Sequence, residues 1–188
     1  MRRSIQEKVL EKLQWVETEA ELLKAAQMIS KERMIALDVE TKMYSGELCL
    51  IQVGFASTIF LIDPLMIGYE AVTLHLNPIF SEPTRQILIH NASFERRILG
   101  QIGIQLSNVI DTLKLSREIR GKKIDGGHSL KSVCLRELNL HISKDCQTSD
   151  WSLRPLNNAQ ILYAAMDAEV LLELYQNFKA LTSTDPLS

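Results

Sequence analysis

The segment Met34-Ile-Ala-Leu-Asp-Val-Glu40 constrains the fold more than any other part of the chain. Four apolar residues lead into Asp38, and one apolar residue separates Asp38 from Glu40. The run reads as a buried strand, although periodicity alone does not separate it from a short helix. In a strand, residues i and i+2 point to the same face. Asp38 and Glu40 would then project side by side from the end of a central strand. Two carboxylates held there repel each other and lose hydration, which is costly. A bound divalent cation reverses that cost. The expectation is half of a metal site, with later segments supplying the missing ligands.

The chain has 188 residues, which suits one α/β domain spanning 1–188 with a core over about 15–181. Its composition, 46% apolar and 23% charged, is that of a soluble globular protein. A net charge of −2 excludes a globally basic surface and leaves room for a local basic groove. Cys49, Cys134 and Cys146 are odd in number and form no CxxC pair, which argues for reduced thiols and a cytoplasmic protein. The polar N-terminus does not resemble a signal peptide, and no apolar run reaches the roughly 18 residues of a membrane span.

Spacing predicts helices over 4–13, from Thr18 to about 30, and over 69–80, 91–100, 111–120 and 129–138. A last helix runs to about Leu181, capped by Asn157 or Asn158, followed by a frayed tail over 182–188. Thr18 and Glu21 form a capping-box pair. Strands are expected at 15–16, 34–39, 48–55, 58–62, 86–90 and 108–110, the second to fourth forming a meander that Asp63-Pro64 ends. The 121–127 stretch reads as a flexible basic loop, and 139–156 as mostly irregular. Together these give a mixed central sheet flanked by helices.

Two further acids are placed to join Asp38 and Glu40. Glu95 lies early on the helix after the 86–90 strand. Asp167 lies on the last helix, four residues after Tyr163 and on the same face, among apolar neighbours. An aspartate there is expensive unless it is paired or ligates a metal. Asp38, Glu40, Glu95 and Asp167 would form a hard oxygen cage suited to two Mg²⁺ or Mn²⁺ ions flanking an in-line phosphoryl displacement. Tyr163 would orient the attacking water or help deprotonate it.

These motifs resemble those of the DEDD superfamily of 3′–5′ exonucleases, in its tyrosine-containing subgroup, and look most like ribonuclease D. The carriers are Asp38-Val-Glu40, His90-Asn-Ala-Ser-Phe-Glu95 and Tyr163-Ala-Ala-Met-Asp167, in that order. Asp111-Thr112, Ser129-Leu-Lys131 and Trp151-Ser-Leu-Arg154-Pro155-Leu156 are similar to shorter family segments. The resemblance spans about 15–178 and implies a ribonuclease H-like (DnaQ-like) fold. It implies a two-metal exonuclease that acts on single-stranded nucleic acid, RNA favoured over DNA, and releases nucleoside 5′-monophosphates. The chain departs from the family at Glu95, where aspartate is usual. It also stops without the C-terminal helical domains of ribonuclease D, which points to self-association or a partner.

The expected substrate-contacting set is Thr41, His90, Asn91, Phe94 and Lys131. Within it, Asn91 either caps its helix or touches substrate. Phe94, like Leu48, either joins the core or packs on a terminal base. His90 and His128 are first of all structural or surface groups. Arg117, Arg120, Lys122, Lys123 and Lys131 form a basic cluster that is either a solvated face or a grip on phosphates. Two other readings stand beside the first: a 3′–5′ DNA exonuclease, and a nucleic-acid-binding domain attenuated by Glu95.

Overall fold

The computed structural model describes residues 5–143 and 145–183. The segment that carries Asp38 is a strand, β2 (Met34–Thr41). β1 (Leu13–Val16) is parallel to β4 (Thr58–Ile62), and β3 (Leu48–Phe55) lies antiparallel between β4 and β2. β5 (Gln86–Ile89) and β6 (Val109–Asp111) continue in parallel on the other side of β2. The order β1-β4-β3-β2-β5-β6 makes β2 an interior strand, and the expected meander is present.

Side chains of β2 alternate between two cores. Ile35, Leu37 and Val39 face one that is completed by α2 (Glu19–Ile29), α4 (Tyr69–Phe80) and α5 (Ala92–Gln101). Ala36 faces the opposite side, and Asp38 and Glu40 share that side by strand periodicity. Here the cover comes from α1 (Ile5–Lys12), α7 (Leu130–Leu138), α8 (Asn158–Ser183) and the segment between α7 and α8.

Gly54 of β3 sets how closely α8 approaches. A Cβ there would lie 3.3 Å from the Ala168 Cβ and 3.6 Å from its backbone. With Ala164, Ala165 and Ala168 all buried, the helix rests on the sheet without intervening bulk. Arg154 fixes the approach from the other end. Its guanidinium donates to both carboxylate oxygens of Asp63, to the Cys49 carbonyl at 2.7 Å and to the Trp151 carbonyl at 2.8 Å. The irregular 139–156 stretch is thereby tied to the ends of β3 and β4.

The ends of the elements show where side-chain chemistry overrode simple reading. The Thr18–Glu21 capping box forms. Asp63 ends the meander but also caps a short helix, α3 (Pro64–Ile67), accepting from the Leu65 and Met66 amides. Ser129 caps α7, so His128 does not. Asn157 and Gln160 exchange side-chain-to-backbone bonds of 3.0 and 3.1 Å, which selects Asn157 over Asn158 as the cap of α8. Asn91 does not cap α5 with its side chain. It takes a left-handed conformation (φ 73°), and its Oδ1 accepts from Ser93. Asp111 takes over: it accepts from the Asn91, Ala92 and Leu113 amides, closing the start of α5 and capping α6 (Thr112–Arg120) together. Thr182 and Ser183 are helical where a frayed tail was expected, and the rest of that tail, like Ser4 of the first helix, lies outside the described residues. No helix among the described residues is long and apolar enough to cross a membrane.

A Gly54→Val substitution is expected to push α8 off the sheet and cost about 1–3 kcal/mol, as overpacking of a tight core does. Urea unfolding measures it; an unchanged midpoint and slope would show that the helix does not depend on this contact.

Candidate active site

β2 and α8 bring three carboxylates together. Asp38, Glu40 and Asp167 each offer an oxygen such that all three atoms lie within 4.8 Å of one another. At this end of β2 the register with β3 shifts between Glu40 and Thr41, an irregularity of the kind that re-aims side chains beside sites. Tyr163, one turn before Asp167 on α8, stands beside the Asp167 carboxylate, and both line the same cleft. The Tyr163 ring is held by Trp151, whose ring centroid is 6.0 Å away.

Glu95 does not close into this group. It rises from α5, across the cleft from α8, and stands beside Asp38, so three of the four expected acids converge tightly and the fourth flanks them. Its carboxylate is buried, and among the described residues its Oε2 has no hydrogen-bond partner.

Together these groups line an open cleft of 800 Å³. Thr41, Asn91, Phe94 and Glu95 also face it, with Leu130 of the Ser129-Leu-Lys131 segment and with Leu113 and Gln147, which the sequence did not single out. Arg117 and Lys122 give the cleft a basic wall, so part of the basic cluster serves the site. Arg120 instead pairs with Glu137 at 2.7 and 3.0 Å. Lys131 lines a smaller side hollow next to Tyr163 and Asp167 rather than the main cleft. Phe94 is half-buried at the cleft, with the Arg97 guanidinium 5.2 Å above its ring. Leu48 is core. His90 reaches the cleft wall, but both ring nitrogens are engaged within the protein, Nδ1 with the Thr112 hydroxyl and Nε2 with the His128 carbonyl, each at 2.9 Å. Burial pulls its pKa down, so the ring is neutral and braces the wall rather than binding phosphate.

The electrostatics of the cluster are adverse in the protein alone. Burial raises the Asp38 carboxyl to about 7. Burial, then the charge of Asp38, raises Glu95 to about 8. Glu40 is pushed well up by burial and then by Asp38 and Asp167, and Asp167 by burial and then by Asp38. Crowded oxygen donors and an unpartnered buried carboxylate oxygen fit a divalent metal with hard-oxygen preference. Asp38, Glu40 and Asp167 would hold it, with Glu95 beside them.

Comparison with known proteins agrees with this geometry. The sequence pattern of a family described as 3′–5′ exonuclease matches residues 13–182, and the chain belongs to that family. Enzymes of this class use divalent metals. Among curated relatives, the chain is 29% identical over 170 residues to the exosome complex exonuclease RRP6 of Saccharomyces cerevisiae, covering 88% of this chain and 22% of that protein. It is 29% identical over 173 residues to ribonuclease D of a Shewanella species, covering 90% of this chain and 43% of that protein. It is 30% identical over 167 residues to DNA polymerase I of Aquifex aeolicus, covering 88% and 27%. The chain thus spans less than half the length of these relatives. The solved catalytic core of RRP6 from Trypanosoma brucei superposes with a TM-score of 0.82 at 25% identity, covering 97% of this chain and 53% of that one. The fold is the ribonuclease H-like exonuclease fold expected from the motifs.

In metal-free protein the folded state holds protons on Asp38 and Glu95 that the unfolded chain has released. Their stabilising contribution is complete below the ordinary carboxylate values of 3.8 and 4.5 and is lost as pH rises through about 7 and about 8. The melting temperature with chelator present is therefore expected to fall between about pH 5 and pH 8, and Mn²⁺ to raise it most at the alkaline end. Thermal unfolding across pH, with and without Mn²⁺, checks this; a flat profile in chelator would contradict it.

Proposed function

We propose that this chain is a divalent-metal-dependent 3′–5′ exonuclease that removes nucleotides one at a time from single-stranded 3′ ends, with RNA favoured over DNA. The observation that carries the reading is the convergence of Asp38, Glu40 and Asp167 beside Tyr163 in a cleft with a basic wall. The RNA preference is supported by similarity to proteins named ribonuclease D and exosome complex exonuclease. A DNA substrate is the second reading, favoured by the similarity to a DNA polymerase I. The three free, buried cysteines support a reducing, cytoplasmic setting.

Two Mg²⁺ or Mn²⁺ ions bound at these carboxylates would supply Lewis-acid stabilisation for an in-line displacement at phosphorus. The chain's own groups do the rest. The Tyr163 hydroxyl, held protonated by burial and the adjacent Asp167 charge, orients the attacking water rather than removing its proton. Arg117 and Lys122 meet the backbone phosphates. Phe94, backed by Arg97, offers a face on which the terminal base stacks. Asn91 and Thr41, which both line the cleft, present polar groups to the terminal sugar. Lys131, in the side hollow, lends positive charge near Tyr163 and Asp167. Water adds to phosphorus, the 3′-oxygen leaves and takes up a proton, and a nucleoside 5′-monophosphate is released with a chain one unit shorter.

The test is degradation of matched 5′-labelled RNA and DNA oligomers with Mg²⁺ or Mn²⁺, using protein shown to be folded. The expected result is a ladder shortening from the 3′ end, faster on RNA. Both oligomers left intact under both metals would overturn the proposal. Asp38→Asn or Asp167→Asn is expected to lower the rate by at least roughly 100-fold, since even the outer partners of metal ligands are worth 10–100-fold. Tyr163→Phe is expected to lower kcat by about 100-fold. Full activity in either aspartate variant would refute the assigned site.

A further inference from the structure

Strand β3 carries one polar side chain into the core beneath α8. Gln52 is fully buried (0% exposed), and among the described residues neither its Oε1 nor its Nε2 has a hydrogen-bond partner. A buried amide left in this way is costly, because its lost hydration is not replaced. Such an expense in the middle of an otherwise apolar strand calls for a use.

Its place in the sheet suggests one. Gln52 is the direct register partner of Asp38 across the β2–β3 ladder. Opposed residues in an antiparallel pair point to the same face, with Cβ atoms about 4.5–5.5 Å apart. Along that face Gln52 lies between Leu50, opposite Glu40, and Gly54, opposite Ala36. On its other flank its partner on β4 is Leu61, which is apolar. Ala168 covers Gly54 from above. Of the groups placed around it by the sheet register, the Asp38 carboxylate is the one that takes a hydrogen bond.

We propose that Gln52 is a positioning residue of the metal site, its Nε2 donating to the Asp38 carboxylate, directly or through one buried water, when Asp38 turns to hold a divalent cation. The bond would fix the rotamer of Asp38 and share its charge without adding another ion to a crowded cluster. Carboxylates that ligate metals are themselves hydrogen-bonded, and loss of such a partner weakens metal binding by 10–100-fold. Gln52 touches no substrate in this scheme and acts through Asp38. The inference rests on the metal-site reading above.

The test uses Gln52→Met, which keeps the length and apolar bulk of the side chain and removes the donor. In chelator its melting temperature is expected to be unchanged or raised, because an unsatisfied buried amide has gone. Its Mn²⁺ affinity, measured by titration calorimetry, is expected to fall by roughly 10–100-fold. Gln52→Leu serves as a second variant if the first does not fold, and a chain that folds with neither would overturn the proposal, which requires the amide to be dispensable for folding. A folded variant with wild-type Mn²⁺ affinity would also overturn it, whether or not its melting temperature drops. If the wild-type protein itself binds no Mn²⁺, the metal-site reading falls and the inference with it; if only the variant's affinity is unchanged, the inference falls alone.

Discussion

Helix α8 reaches β2 closely because nothing stands between helix and sheet at Gly54. The 3.3 Å separation from a notional Cβ to Ala168 leaves no room for a larger residue. Tyr163 and Asp167 lie about one turn and one residue before that contact, so the same approach delivers both to the end of β2. The Arg154–Asp63 pair and the Asn157–Gln160 cap hold the entry of the helix, and the apolar face beneath it holds the remainder. A site assembled from a strand and a distant helix depends on this docking more than on any bond within the site.

What the docking brings together would not stay together in water. Asp38, Glu40 and Asp167 crowd one another, burial raises each carboxyl, and Glu95 adds its charge from the opposite wall. The sheet and its two cores supply the stability that keeps this adverse cluster in place. Stability stored in the fold is in effect exchanged for a site that binds hard cations, and the basic wall formed by Arg117 and Lys122 then sets a polyanion across it.

The strand–helix pattern was legible because its signals are local. The apolar run that leads into Asp38, the Thr18–Glu21 box and the apolar face of α8 each act within a few residues. Asp38, Glu40 and Asp167 were legible for a related reason: an acid on an apolar face is conspicuous in one dimension. What escaped depended on contacts between distant segments. Asp111 closing α5 from twenty residues away, the two engaged nitrogens of His90 and the Asp63–Arg154 clamp are facts of packing. Gln52 escaped for the opposite reason, since a glutamine in a strand looks unremarkable until its burial and its partner across the ladder are known. Glu95 was expected as the fourth ligand of the cage; it lines the cleft but lies outside the three-acid group, a separation set by the position of α5, which spacing does not encode.

The central claim is that the carboxylate cluster exists to bind divalent metal, and proton release tests it most directly. Metal binding requires ionised ligands, so carboxyls held protonated near neutrality must give up protons as the ion enters. Calorimetric titration of Mn²⁺ at pH 7, repeated in two buffers of different ionisation enthalpy, counts those protons. The account predicts saturable binding with net proton release. No binding, or binding without proton release, would contradict it.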